Sequence, residues 1–134
     1  VTLIVDASVA IKWVLSEPES DRADALFDQD DLAAPRLWLT ETANVLWKYW
    51  QRGQLTNDEV FERLRLLADM PIEAIEDDTV LDTAVGFAVT LNHPVYDCVY
   101  LAAATARNAV LVTADQSFVT VVKSSPFAAL IRPL

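Results

Sequence analysis

Short apolar segments of strand length alternate with longer, helix-length ones along this chain, and two of the short segments run directly into an aspartate. These are Leu3-Ile4-Val5-Asp6 near the start and Val110-Leu111-Val112-Thr113-Ala114-Asp115 near the end. Runs this apolar offer no solvent face, so each reads as a strand buried on both sides. Strands alternating with helices predict an α/β fold: a three-layer sandwich with a central parallel sheet and helices on both faces. Ligands of such sheets bind beyond the carboxyl ends of the strands, where strand order reverses. Asp6 and Asp115 share that edge if their strands are neighbours, an adjacency the pattern alone leaves open.

Thr2 to Val5 is the first expected strand, and Ser8 is expected to cap a helix running to about Leu15. Glu17-Pro18 breaks it. A helix from about Ser20 to Phe27, a strand at Leu32 to Ala34 and a long helix to about Arg52 follow, the last opened by Pro35 and ended by Gly53. Thr56-Asn57-Asp58-Glu59 is a capping box for a helix to about Asp69. Then come a strand at Ile72 to Ile75, a helix from Asp77 and Asp78 to near Leu91 and Asn92, and a helix from Pro94 to near Asn108. A strand at Ala109 to Thr113, a short helix after Asp115 and a last strand at Ala129 to Arg132 complete the series.

With only two glycines, no linker-like tract and no repeat, residues 1–134 are expected to form a single domain. A hydrophobic content of 53% excludes a disordered chain. No apolar run reaches the roughly 18 residues of a membrane span. No secretory leader pattern is visible, and the single cysteine, Cys98, cannot form an internal disulfide, so a cytoplasmic location is expected. The net charge of −10 argues against a broad basic face for nucleic acid. It leaves room for a nucleic-acid enzyme whose bound cations reverse the local sign, and it favours basic partners.

The acids carry the chemistry. Asp97 is the only charge between Val95 and Ala106, on a helix that reads as apolar all round. The helix dipole favours a first-turn acid by roughly 0.3–1 kcal/mol, while burying an unpaired carboxylate costs several times more. No lysine or arginine lies within a turn of it, so Asp97 needs a solvent-facing pocket or a cation. Asp6 and Asp115 each read equally as helix caps or as ligands. Glu41 shares one narrow polar stripe with Asn44, Lys48 and Gln51 on the long helix, a plain solvent face or the wall of a cleft. No Cys/His cluster exists for zinc; His93 reads as a loop residue and Cys98 as core. Oxygen-only ligands favour Mg²⁺ or Mn²⁺. Trp13, Trp38, Trp47 and Trp50 suit core or dimer packing better than base stacking, and the long helix reads as apolar enough to pack on a second copy.

Val5-Asp6-Ala7-Ser8, Glu41 with Asn44, Tyr96-Asp97-Cys98-Val99-Tyr100-Leu101-Ala102 and Thr113-Ala114-Asp115-Gln116-Ser117-Phe118, in that order, resemble the PIN-domain ribonucleases, above all the VapC toxins of VapBC toxin–antitoxin pairs. The resemblance spans essentially the whole chain. It implies a PIN-like sandwich with the first and fourth strands adjacent. It implies that Asp6, Glu41, Asp97 and Asp115 form an Mg²⁺ or Mn²⁺ site for RNA cleavage, with Ser8 and Thr113 supporting the acids. It also implies a homodimer and a VapB-like antitoxin whose tail enters the site. Many relatives carry a further acid where this chain has Ser117, which puts a second metal in doubt. Asp6 and Asp97 are the favoured direct ligands, Asp115 completes the site and Glu41 orients water or a second ion. Lys12 and Lys48 are candidate phosphate contacts.

Two other readings are open. One is an aspartate-based phosphoryl-transfer domain, which wants a second acid or a paired lysine that Asp6-Ala7-Ser8 lacks. The other is a non-catalytic acidic module that binds a basic peptide.

Overall fold

Leu3, Ile4 and Val5 are buried, as are Leu111 and Val112: the two segments that end in aspartate are covered on both faces. In the computed structural model, which describes residues 1–134 throughout, they belong to one five-stranded sheet. Its strands are β1 (Thr2–Val5), β2 (Asp31–Pro35), β3 (Ile72–Ile75), β4 (Val110–Thr113) and β5 (Ile131–Pro133). They lie in the order β3-β2-β1-β4-β5, all parallel. The helices are α1 (Ala7–Val14), α2 (Ser20–Gln29), α3 (Leu37–Gln51), α4 (Asn57–Ala68), α5 (Leu81–Leu91), α6 (Val95–Ala106) and α7 (Gln116–Lys123).

The chain steps from β1 out to β3, then returns across the sheet to β4 and β5. Right-handed crossovers therefore put α1 to α4 on one face and α5 to α7 on the other. Helix α6 packs along β1, β2 and β4 and pairs with α5. Strand order reverses between β1 and β4, which pair Leu3 with Val110, Ile4 with Leu111 and Val5 with Val112. The expected sandwich is thus present, and the two aspartate-terminated strands are neighbours.

Local signals explain most boundaries. Thr56 Oγ1 accepts from Glu59 N at 3.2 Å while Glu59 Oε1 accepts from Thr56 N at 2.9 Å, the reciprocal cap of α4. Gly53 takes φ +74° just beyond α3, and Asn92 takes φ +49° to end α5. Two expectations need correction. Pro35 closes β2 and does not open α3; the donor the ladder needs there comes from Arg36, whose N–H bonds Ile75 O at 2.9 Å. Ser8 is not the cap of α1, whose N-cap is Asp6.

The tryptophans divide. Trp13 packs on Phe27 with ring centroids 4.6 Å apart and meets Trp38 edge-on at 6.3 Å. Trp47 and Trp50 stay exposed, walling a groove of about 290 Å³ between α3 and α4 with Asn57, Val60 and Phe61. A second exposed apolar surface, Leu81, Val85 and Val89, follows one face of α5.

Candidate metal centre

Asp6 projects from the end of β1 at the reversal point and is nearly buried. Its Oδ1 accepts from Ser8 Oγ at 2.5 Å and from Val9 N at 3.3 Å, and its Oδ2 accepts from Thr113 Oγ1. Ser8 reaches across to β4, lying 3.2 Å from Thr113 Oγ1 and accepting from Ala114 N at 2.9 Å. That long-range engagement is why Ser8 does not cap α1. Both Ser8 and Thr113 support the acid, Thr113 from within the sheet. Burial raises the Asp6 carboxyl from its ordinary 3.8 to about 6; the bonds from Ser8, Thr113 and Val9 pull it down, and the charge of Asp97 pushes it up.

Asp97 comes to the same place from the first turn of α6. The body of that helix is buried from Cys98 to Ala104, but its start is open, and the Asp97 side chain is 38% exposed. The expectation of a wholly buried helix therefore fails at its amino end, where the sheet edge is open to solvent. Partial exposure gives the Asp97 carboxylate the solvent it needs. It also has a neighbour: His93 Nε2 lies 2.7 Å from Asp97 Oδ2. That contact was missed because only lysine and arginine were sought, although the four-residue spacing shows it.

Glu41, half-buried in α3, arrives from the other helix layer. Its Oε1 accepts from the phenol of Tyr100 at 2.5 Å, and burial raises its carboxyl above the ordinary range, with Asp97 and Asp77 adding to the rise. Burial also lifts the Tyr100 hydroxyl far above its ordinary pKa, with the Glu41 charge and hydrogen bond next, so Tyr100 is a fixed donor. Tyr100 too was missed; it lies three residues beyond Asp97, on the same helix face.

Asp115 is at the same edge, yet its Oδ1 is turned onto α7, accepting from Ser117 Oγ at 2.8 Å and Phe118 N at 3.2 Å. Asn44 is exposed one turn beyond Glu41. Lys48 is exposed in the last turn of α3, seven residues from Glu41, or about 10 Å along the axis. Lys12 is in the last turn of α1, its Nζ 2.7 Å from Pro18 O and 3.4 Å from Glu17 Oε1. Neither lysine is gathered with the acids.

The Asp97 charge thus acts on both Asp6 and Glu41 near the β1/β4 edge, with no lysine or arginine acting on either carboxyl. No three acidic, histidine or cysteine side chains converge closely enough to hold an ion as they stand. A hard cation does not require that: Mg²⁺ keeps several waters and commonly takes one or two carboxylates. The all-oxygen donor set, and a buried carboxylate whose charge is uncompensated, fit such an ion.

A PIN domain family model matches residues 3–123. Ribonuclease VapC3 of Pyrobaculum aerophilum is 31% identical over 135 residues, spanning 98% of each chain. The crystal structure of PAE2754, also from Pyrobaculum aerophilum, superposes with a TM-score of 0.73 at 24% identity, over 98% of this chain and 83% of that one. VapBC2 from Rickettsia felis, solved bound to a DNA fragment from its promoter, gives a TM-score of 0.70 at 14% identity, over 100% of this chain and 99% of its own.

Proposed function

Because the chain belongs to the PIN-domain family, we propose that it is a divalent-metal-dependent endoribonuclease, the toxin of a type II toxin–antitoxin pair, with residues 1–134 as one nuclease domain. The observation that carries this reading is the meeting of Asp6, Asp97 and Glu41, from β1, α6 and α3, at the strand-order reversal. Hydrolysis of an RNA phosphodiester needs oxygen ligands and a group to orient water there, and these carboxylates have the chemistry for both roles.

Asp6 and Asp97 would hold Mg²⁺ or Mn²⁺, with Asp115 completing the set. A bound divalent cation lowers the pKa of water and neutralises charge developing on the phosphate. Ser8 and Thr113 hold Asp6 in one rotamer. Glu41, steadied by Tyr100, orients the attacking water and accepts its proton. Lys48 is free to meet a neighbouring phosphate, whereas Lys12 is tied to Glu17 and Pro18 and would have to leave them.

The partners follow from surface chemistry. The concave α3–α4 groove suits an inserted apolar segment of a basic, VapB-like antitoxin, which the charge of −10 would attract. The exposed α5 stripe of Leu81, Val85 and Val89 suits a two-fold contact with a second copy. The exposed Trp47 and Trp50 keep the long helix α3, where the sequence places self-association, as the other face open to a second copy. No helix is long and apolar enough to cross a membrane, and the site of action is the cytoplasm.

RNA cleavage with Mn²⁺ or Mg²⁺, compared with EDTA, tests the proposal, with Asp97→Asn as control. Metal-dependent cutting lost in the variant is expected. Cleavage that survives EDTA, or full activity of Asp97→Asn, would reject it in favour of an acidic binding module or different chemistry.

A further inference from the structure

His93 is the only histidine in the chain, and the proposed chemistry does not use it. It sits in the turn between α5 and α6, and its backbone is tied down: Asn92 before it is left-handed, and its own N–H bonds Ala88 O at 3.1 Å. Its ring lies on Phe118 with centroids 4.7 Å apart and planes inclined by 33°. Phe118 is buried in α7, the helix that Asp115 caps. The His93 side chain is 19% exposed, and its Nε2 meets Asp97 Oδ2 at 2.7 Å.

An imidazole held by its backbone, its face and one nitrogen has little rotational freedom. We infer that His93 is a positioning residue, donating from Nε2–H to Asp97 Oδ2 and so fixing the orientation of the carboxylate that would hold the divalent cation. The inference rests on the metal site proposed above. Outer-shell donors of this kind fix the orientation of ligating carboxylates, and their loss commonly weakens metal binding 10–100-fold. The wedge of His93 on Phe118 also ties the start of α6 to α7, linking the settings of Asp97 and Asp115.

The test is Mn²⁺ calorimetry on the full chain, wild type against His93→Phe, which keeps the ring stacking and loses the donor, and His93→Gln, which restores a donor. His93→Phe is expected to raise the Mn²⁺ Kd roughly tenfold or more, with His93→Gln recovering most of it. Independently, ring ¹⁵N signals of the wild type, unambiguous for a sole histidine, should report an Nε2–H tautomer and move on Mg²⁺ addition. They decide the matter if His93→Phe does not fold. Equal Mn²⁺ affinity in all three proteins, or ring signals that ignore bound Mg²⁺, would overturn the role of His93 alone. A wild type that takes up no Mn²⁺ would overturn the metal site and this inference together.

Discussion

The Tyr100 hydroxyl donates to Glu41 Oε1 across 2.5 Å, joining the two helix layers directly above the carboxyl edge of the sheet. Tyr100 is buried and Glu41 half-buried, so the bond works where water competes weakly. Hydrogen bonds to charged groups contribute about 1.5–3 kcal/mol. Tyr100→Phe removes the donor and keeps the ring. We expect RNA cleavage to fall about tenfold, equivalent to about 1.4 kcal/mol of barrier, with stability reduced by about 1 kcal/mol because Glu41 can still hydrate. Parallel cleavage assays and thermal melts check this; wild-type activity would free Glu41 from any dependence on Tyr100.

Asp6 makes stability depend on pH in an unusual direction. Its folded carboxyl titrates near 6, above the ordinary 3.8, chiefly through burial. A raised folded value favours the protonated form, so its contribution is fully present below about pH 4 and is lost as pH rises through 6. The ionisation penalty above pH 6 is about 3 kcal/mol. Asp6→Asn should therefore match the metal-free wild type at pH 4 and be more stable at pH 7.5, by about 1–3 kcal/mol once altered hydrogen bonds are counted. The same titration should weaken Mn²⁺ binding to the wild type below pH 6, because the ligand must first lose its proton. Denaturant melts in EDTA and calorimetry across pH 5–8 measure both; a flat difference between the two proteins would show that Asp6 has an ordinary pKa.

The two apolar surfaces should separate under single charge insertions. Val89→Glu, at a 78% exposed position on α5, is expected to give monomers by light scattering without unfolding the chain. Trp47→Glu, in the α3–α4 groove, is expected to remain dimeric and to lose antitoxin binding. Dimer loss in Trp47→Glu with Val89→Glu unaffected would return self-association to the long helix.

Residues that act on near neighbours were legible without coordinates. The capping box at Thr56 and Glu59, the stops at Gly53 and Asn92, and the alternation of strands with helices depend on local backbone preference and on apolar runs too short for anything but buried strands. Burial on both faces in turn restricts such strands to a covered parallel sheet. The family pattern of acids could likewise be seen in linear order.

Contacts between distant segments could not be seen that way. Ser8 reads as the α1 cap in sequence, but β4 lies beside β1 and engages the serine hydroxyl through Thr113, 105 residues away, and the cap is Asp6. Tyr100 and Glu41 lie 59 residues apart and meet only where the two helix layers come together past the carboxyl edge of the sheet that separates them. The exposure of Asp97 depends on where α6 crosses the sheet edge, which no helical periodicity records. Short-range geometry is written in neighbouring side chains; the pKa of a carboxylate and the partner of a hydroxyl follow from what packing brings alongside them.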